Sequence, residues 1–358
     1  MRIAVLGNAA ALHTRRWARA LAARGAIVRL FSLEAPPEED DAVRLDEVRL
    51  AAWPWPRAIR YPSARGALLR ALDAFAPDVV EAHFVPNYGF LAALAGRRPL
   101  VVHAWGSDLL RSPARSPLHA ARARFALARA DLVVVDARVL AAAATALGVP
   151  AARLLVAPWG ADLTRFALAP PAAEPHVVSL RQLEPLYDVA CLIDALPAVR
   201  AAVPALRVTV AGDGPLRGAL EQRACSRGVA ACVRFVGRVP HAALPALLAG
   251  AQAVVSCARS DSTSISLLEA MAAGATPIVA DVPGNREWVD DGAEGRLFPP
   301  GDHAALAAAL VATLVDPAFR AAARARARRR VEEQGDFARA VDGVRARYDG
   351  LLAHGAAA

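Results

Sequence analysis

The sequence predicts an α/β protein built from two doubly wound domains. Short apolar runs alternate with helical stretches along almost the whole chain, and this rhythm is typical of βαβ units around a parallel sheet. The rhythm stops near Pro170 and Pro171 and then starts again, which indicates a hinge. At 358 residues the chain is too long for one ordinary core, but it suits two domains of about 170 residues facing across a cleft.

The first half contains six apolar runs that we interpret as strands of one parallel sheet. In chain order they are IAVLG, IVRLFS, DVVEAHF, LVVHAWG, ADLVVVDA and LLVAPWGAD. Helical stretches such as TRRWARALAARG separate them. These elements predict an N-terminal domain over residues 1–165.

The second half repeats the pattern with new sequence. Its predicted strands are HVVSLRQLEP, LRVTVAGDGP, VRFVGRVP, AVVSCA, TPIVAD and RLFPP. Helices lie between these strands and an arginine-rich helix follows them, so we predict a second domain over residues 166–335. The last helix, FARAVDGVRARYDGLLAHG, has no strand after it. We therefore expect residues 336–358 to cross back onto the first domain.

The charge of the chain favours an anionic partner. The net charge is +8, and all 42 basic residues are arginine. Without lysine, Schiff-base chemistry and a P-loop lysine are excluded. A nucleotide diphosphate or a phospholipid surface fits this charge, whereas the arginine clusters lack the interleaved aromatic residues of nucleic-acid binding. For the clusters themselves, solvated helix faces and contact with a membrane surface both remain open.

Several chemistries have no motif in this chain. There is no HExxH, no CxxC set and no DxD triplet, so we expect neither a catalytic metal nor a bound cofactor. There is no GxSxG nucleophile either. Because no uninterrupted apolar run reaches 18 residues, we expect a cytoplasmic protein, with the inner face of the plasma membrane as an alternative place.

The most informative segment is DSTSISLLEAMAAG, residues 261–274. Thr263, Ser264 and Ser266 are suited to cap a helix, whose free N–H groups attract phosphate or hydroxyl oxygens. Glu269 lies inside that helix between apolar neighbours, where a ligand hydroxyl is a suitable partner. The alternative is a solvated helix glutamate.

Further candidates follow strands of the first domain, where ligands bind in open α/β sheets. Gly7 and Asn8 follow the first strand, and a small residue there lets the backbone approach a diphosphate, although a plain tight turn is the alternative. His13 opens the next helix and could either touch a substrate or cap and solvate the helix.

Two more first-domain loops carry polar and aromatic residues. His83 follows the run DVVEAHF, and the loop HAWGSD contains Trp105 and Asp108. We interpret HAWGSD as a wall of an active site. Asp108 could instead be a helix cap.

In the second domain, Arg181 directly follows a strand. Its planar guanidinium could clamp phosphate oxygens, and an ion pair with Glu184 is the alternative. Gly237 and Arg238 follow the run VRFV, and a nucleotide base could lie along that backbone.

Taken together and in this order, these motifs resemble the family 4 retaining glycosyltransferases, which have the GT-B fold of two Rossmann-like domains. The resemblance runs nearly end to end. It rests on HTRRWARALAARG, HAWGSDLL, PWGAD, SLRQLEP, AGDGP, FVGRVP, SDSTSISLLEAMAAG, PGNREWV and GRLFPPGD.

The resemblance assigns roles to individual residues. Glu269 matches the glutamate that binds the nucleotide ribose, and Asp261 stands where a second glutamate touches the transferred sugar. Arg181 matches a phosphate-binding arginine. Tyr187 replaces a family lysine at the diphosphate, and Trp105 replaces a histidine before the GSD turn.

The implied activity is transfer of a hexose or N-acetylhexosamine from a nucleotide-diphosphate sugar to a hydroxyl, with retention of configuration and without metal. The implied catalytic residues are Arg181, Asp261 and Asp108. The donor site would comprise Gly7, Asn8, Arg181, Tyr187, Gly237, Arg238, Thr263, Ser264, Ile265 and Glu269, and the acceptor site His13, His83 and Trp105.

The acceptor would be a saccharide or a lipid-linked molecule of the cell envelope. Two alternatives to a transferase stay open. One is a nucleotide-sugar epimerase of the same fold, and the other is a non-catalytic subunit that binds nucleotide sugar or supports a partner.

Overall fold

The computed structural model describes residues 1–36, 45–52, 59–170 and 173–355, so Pro171 of the predicted hinge lies outside the described residues. The chain forms two compact units. The first comprises Met1–Ala157 together with Ala338–Ala358, and the second comprises Pro158–Phe337.

The first unit contains a seven-stranded parallel sheet in the order β3-β2-β1-β4-β5-β6-β7. The strands are β1 Arg2–Leu6, β2 Ile27–Ser32, β3 Asp46–Arg49, β4 Val79–His83, β5 Leu100–Ala104, β6 Leu132–Val135 and β7 Leu154–Val156. The strand order reverses between β1 and β4, which places the loops after these two strands at a topological switch point. The edge strand β3, with the sequence DEVR, is absent from the prediction because it has no buried residue and therefore no apolar signal.

Helices cover the sheet of the first unit. They are α1 Leu12–Ala23, α2 Arg60–Ser63, α3 Arg65–Phe75, α4 Phe90–Ala95, α5 Ser107–Leu110, α6 Ser112–Arg115, α7 Pro117–Arg129 and α8 Arg138–Ala146. Helix α1 shows why they pack, since Trp17, Ala18 and Leu21 recur on one face and are buried.

The second unit contains a six-stranded parallel sheet in the order β10-β9-β8-β11-β12-β13. Its strands are β8 His176–Ser179, β9 Arg207–Ala211, β10 Val233–Gly237, β11 Ala253–Ser256, β12 Thr276–Ala280 and β13 Arg296–Phe298. The order reverses between β8 and β11, so this sheet also has a switch point. Both doubly wound sheets of the predicted fold class are thereby confirmed.

The helices of the second unit follow its strands. They are α9 Val189–Ala202, α10 Arg217–Ser226, α11 Leu244–Ala249, α12 Ile265–Ala273, α13 Pro283–Arg286, α14 His303–Leu314 and α15 Pro317–Gln334. The last helix, α16, spans Phe337–Gly355, and from Ala338 onward it belongs to the first unit, as the predicted fold class requires.

The arginine-rich helix α15 is not simply a solvated face. Arg324 Nη1 donates to the carbonyl oxygen of Gly274 at 3.3 Å, and Arg328 Nη1 donates to that of Ala272 at 2.8 Å. These carbonyls lie at the C-terminal end of α12, where cations complement the helix dipole. The two arginines therefore fix α12 in place.

Among the helices that the structure describes, none is by itself long and apolar enough to cross a membrane. One pair, His303–Leu314 and Pro317–Gln334, would pass by length and composition together, but it is bent by 98°.

Candidate functional site

Three predicted residues of the second unit meet at its switch point. Arg181 follows β8, and Asp261 follows β11. Arg181 Nε donates to Ser256 Oγ at 2.9 Å, and its Nη2 donates to Asp261 Oδ2. The guanidinium also lies 5.4 Å from the ring centroid of Tyr187, within the range of a cation–π contact. The carboxylate partner of Arg181 is thus Asp261, and not the Glu184 considered from the sequence.

Two glycines allow the loops of this site to approach closely. A Cβ on Gly212 would lie 2.0 Å from the carbonyl oxygen of Arg181. A Cβ on Gly284 would lie 2.2 Å from the carbonyl oxygen of Ser262. Since neither backbone contact leaves room for a side chain, both positions require glycine, and the loops that carry Arg181 and Asp261 are packed against fixed backbone.

The start of α12 forms a capped helix terminus beside these loops. Ser264 is the N-cap and accepts a hydrogen bond from the N–H of Leu267 at 3.3 Å. Thr263 is buried and accepts a hydrogen bond from Trp288 Nε1 at 3.3 Å. Ile265 is the first residue of α12. The free N–H groups of this first turn therefore lie in the segment that we predicted to bind the donor. Such a terminus attracts anions.

Glu269 is buried inside α12 and has a partner that the sequence did not indicate. It is only 2% exposed, which excludes the solvated alternative. His241 Nε2 lies 2.7 Å from Glu269 Oε1, and Arg165 Nη1 lies 2.8 Å from His241 Nδ1. His241 is the first residue of a short 3₁₀ helix, His241–Ala243, where a single histidine gives no recognisable signal in the sequence.

Gly237 is linked to the Arg181 loop through backbone contacts. Its carbonyl oxygen accepts a hydrogen bond from the N–H of Gly212 at 2.8 Å, and Gly212 in turn packs against Arg181. Gly237 has a φ of +70°, a conformation that favours glycine. Arg238 is exposed next to it.

In the first unit, Gly7 and Asn8 form a local turn. A Cβ on Gly7 would lie 2.7 Å from Thr14 Cγ2, so the absence of a side chain lets β1 pack against α1. Asn8 Oδ1 accepts a hydrogen bond from the N–H of Ala10 at 2.8 Å. These contacts explain both residues as turn residues, and their predicted contact with a diphosphate stays a prediction.

His83 belongs to a buried cluster on β4 and β5. Glu81 Oε1 lies 2.8 Å from His83 Nε2 and 3.1 Å from His103 Nε2. Tyr348 of α16 donates to Glu81 Oε2 at 2.6 Å. Because His83 is only 1% exposed, it presents almost no surface to a ligand in this conformation, and its predicted acceptor role gains no support from the structure.

The geometry of this cluster favours hydrogen bonding over a shared metal ion. Glu81, His83 and His103 have the chemistry of metal ligands and lie close together. However, the two imidazole rings are stacked, with centroids 4.7 Å apart and planes inclined by 6°. Since a metal lies in the plane of each imidazole that binds it, two stacked rings do not aim at one ion.

Burial and charge change the ionisation of the cluster. Burial lowers the pKa of His83 to about 4. Burial opposes ionisation of Glu81 as well, but the neighbouring His103 and His83 hold the pKa of this carboxyl well below its usual range. The cluster therefore contains a buried carboxylate that three donors stabilise.

Asp108 holds the backbone of the HAWGSD loop. It is fully buried, and it accepts hydrogen bonds from the N–H groups of Val85 at 3.1 Å and Trp105 at 2.9 Å. Burial raises its pKa to about 6. These contacts give Asp108 a positioning role, and its predicted catalytic role gains no support from them.

Two acceptor candidates lie side by side in the first unit. The rings of His13 and Trp105 meet edge to face with centroids 6.0 Å apart. Trp105 also packs edge to face on His83 at 5.4 Å. The buried cluster thus supports the predicted acceptor wall from below.

Known glycosyltransferase families match the sequence of both units. Residues 8–160 match the family described as glycosyl transferase 4-like domain, and residues 161–330 match glycosyl transferases group 1. A glycogen synthase of Mycobacterium tuberculosis (strain ATCC 25618 / H37Rv) is 30% identical over 71% of this chain and 65% of its own length. A phosphatidyl-myo-inositol mannosyltransferase of Mycobacterium leprae is 37% identical over 35% of this chain and 33% of its own. The chain therefore spans less than two thirds of the glycogen synthase.

Solved structures are similar along the whole chain. Sucrose-phosphate synthase from Thermosynechococcus elongatus has a TM-score of 0.83 at 21% identity, covering 99% of this chain and 100% of that one. Anabaena Alr3699/HepE, solved in complex with UDP-glucose, has a TM-score of 0.80 at 21% identity, covering 98% and 100%. At these identities the similarity establishes the fold.

Proposed function

The chain belongs to the glycosyl transferases group 1 family and has the GT-B fold, and from this premise we propose that it transfers a hexose or N-acetylhexosamine from a nucleotide-diphosphate sugar to a hydroxyl. The observation that carries the proposal is the group of Arg181, Asp261 and the α12 terminus at the switch point of the second unit. A cation and a helix N-terminus at such a point suit a diphosphate.

Departure of the nucleoside diphosphate is the step that these residues assist. The bond between the anomeric carbon and the diphosphate oxygen breaks, and negative charge develops on the leaving oxygen. Arg181 and the N–H groups near Ser264 stabilise that charge because they are held in place before the reaction. The acceptor oxygen forms the new bond to the anomeric carbon on the face that the diphosphate leaves, and a donor phosphate oxygen accepts the proton of that hydroxyl. Attack on this face retains the configuration, and the step needs neither a protein base nor a metal.

The remaining contacts in the second unit define the donor. Glu269 binds the ribose hydroxyls, and Asp261 faces the transferred sugar. Asp261 is one methylene shorter than the glutamate of the family and is paired with Arg181, so its reach toward the sugar is reduced. Tyr187 stands where the family has a lysine, and it supports the guanidinium of Arg181 through its ring.

The first unit would hold the acceptor, with Trp105 and His13 on its wall. The match to a mannosyltransferase named for phosphatidyl-myo-inositol supports a lipid-linked or envelope acceptor. We propose that the protein acts in the cytoplasm, at the inner face of the plasma membrane.

A non-catalytic subunit is the second candidate, because Tyr187 and Trp105 replace a lysine and a histidine of the family pattern. A transferase, a non-catalytic subunit and an epimerase differ in what they form from a nucleotide sugar. We would incubate the protein with UDP-, GDP-, ADP- and dTDP-hexoses and follow the sugars by NMR, with Glu269→Gln as control. Slow release of free sugar of retained configuration supports a transferase, a new epimer supports an epimerase, and unchanged donors contradict both.

A further inference from the structure

The buried contacts of Glu269 extend its site to two residues outside the family motifs. We propose that His241 and Arg165 are positioning residues that hold the Glu269 carboxylate ready for the nucleotide ribose. This inference rests on the proposed function and deepens it. Arg165 Nη1, His241 and Glu269 Oε1 form a continuous chain of hydrogen bonds of 2.8 and 2.7 Å.

The hydrogen bonds of His241 determine which of its ring nitrogens carries the proton. A guanidinium only donates hydrogen bonds, so His241 Nδ1 must be the acceptor of the bond from Arg165. The ring proton therefore lies on Nε2, which donates to Glu269 Oε1. Arg165 thus selects the tautomer that gives Glu269 a donor, in the way that an outer partner orients a functional histidine.

Glu269 needs a hydrogen-bond donor because its carboxylate is buried. Glu269 is 2% exposed and lies on a helix whose neighbouring residues, Leu268 and Ala270, are fully buried. A carboxylate in these surroundings is costly unless it is hydrogen-bonded. The bond from His241 satisfies Oε1 and fixes the plane of the carboxylate. Oε2 is then the oxygen that we assign to the ribose hydroxyls.

Further contacts hold the ring of His241 and the turn that carries Arg165. The ring of Phe166 packs edge to face on His241 with centroids 5.5 Å apart, and Phe166 is fully buried. Asp162 Oδ1 accepts hydrogen bonds from the N–H groups of Thr164 and Arg165 at 3.1 and 3.2 Å, which fixes the turn. Arg328 Nη1 donates to the carbonyl oxygen of Phe166 at 2.7 Å. This relay, the hydrogen-bonded chain from Arg165 through His241 to Glu269, is therefore anchored on a fixed turn. It holds the Glu269 carboxylate in place before the donor binds, so less conformational entropy is lost on binding.

The test compares His241→Phe with a matched control. Phenylalanine keeps the ring against Phe166 but removes both nitrogens. His176→Phe is the control, because His176 is also a part-buried histidine of the second unit, bonded to Gly250 and Thr209 on the strand side. UDP, GDP, ADP and dTDP are titrated into the wild-type protein by calorimetry, and the tightest of them is the probe for the variants.

We expect His241→Phe to weaken nucleotide binding about 10-fold, the effect of losing one well-placed polar contact, and His176→Phe to leave it unchanged. In a Glu269→Gln background, His241→Phe should have no further effect, since the relay acts through Glu269. Equal losses in both backgrounds, or unchanged affinity, overturn the inference while nucleotide binding by the wild type sustains the proposed function. A wild type that binds none of the four nucleotides overturns both.

A spectroscopic measurement separates positioning from folding. Long-range ¹H–¹⁵N spectra of the imidazole should show the proton of His241 on Nε2 in the wild type. Arg165→Met should shift the ring toward a mixture of tautomers, with the melting temperature little changed because Arg165 is exposed. An Nε2 proton retained in full in Arg165→Met contradicts the role of Arg165.

Discussion

Arg181→Met offers the sharpest separation of structural and functional roles in the donor site. Methionine keeps most of the apolar stem that packs near Tyr187, but it removes the charge and the donors that reach Ser256 and Asp261. The change therefore affects two properties at once. It removes a contact to the donor diphosphate, and it leaves Asp261 without its cation.

The two effects have different magnitudes. A hydrogen bond to a charged group contributes about 1.5–3 kcal/mol, so loss of one phosphate contact should weaken nucleotide binding roughly 10- to 100-fold. Breaking a fully buried ion pair costs about 3–5 kcal/mol of stability. The side chains of Arg181 and Asp261 are 10% and 14% exposed, so solvent compensates in part. We expect a loss of about 2 kcal/mol in the free energy of unfolding.

The double variant Arg181→Met, Asp261→Asn distinguishes the two effects. Asparagine removes the unpaired charge, so urea unfolding should return to within about 1 kcal/mol of the wild type. Calorimetric titration with nucleoside diphosphate should still show the weakened affinity. If the double variant regained wild-type affinity, Arg181 would act only by neutralising Asp261, and its proposed contact with the diphosphate would be refuted.

Three further changes test other parts of the account. Tyr187→Lys should tighten nucleoside diphosphate binding about 10-fold by adding a cation, more at low salt than at high salt, while Tyr187→Met should not; equal affinities in calorimetry would remove position 187 from the diphosphate site. Asp261→Glu should change the ratio of kcat/KM between two hexose donors about 10-fold, because the longer carboxylate reaches further toward the sugar; an identical ratio would show that this position does not contact the hexose. The depressed pKa of His83, from 6.5 to about 4, contributes stability that is present above pH 6.5 and is lost as the pH falls toward 4. Between pH 7 and pH 4.5, the wild type should therefore lose about 2–3 kcal/mol more than His83→Gln in urea unfolding, and parallel losses would contradict this burial effect.

The fold could be predicted because buried parallel strands leave a strong pattern in the sequence. Runs such as IAVL and PIVA are apolar throughout, since helices cover both faces of a parallel sheet. The strand Asp46–Arg49 escaped prediction because an exposed edge strand needs no apolar residues. Burial, and not strand formation itself, is what the pattern records.

The parts of the candidate site that could be predicted are those formed by residues close together in the sequence. The cap at Ser264 and the position of Glu269 follow from a spacing of a few residues. The pairing of Arg181 with Asp261 joins residues that are 80 positions apart, so only the strand order brings them together. The same limit applies to His241, which meets Glu269 from a short 3₁₀ helix 28 positions earlier in the chain.

His83 shows that a polar residue after a strand can be buried instead of being presented to a ligand. Glu81 was the available signal, since it is a carboxylate between the apolar residues Val80 and Ala82 of a predicted strand. A buried carboxylate requires donors nearby, and His83 and His103 are those donors. The acceptor role of Trp105 and His13 stays a prediction.

The central claim is that the second unit binds a nucleotide-sugar donor at its switch point. The most direct measurement is calorimetric titration of the wild-type protein and Glu269→Gln with UDP, GDP, ADP and dTDP, without added metal. The account predicts that one nucleotide binds in the micromolar range and that Glu269→Gln weakens it about 10-fold. Absence of binding by all four, or equal affinity in both proteins, would contradict it.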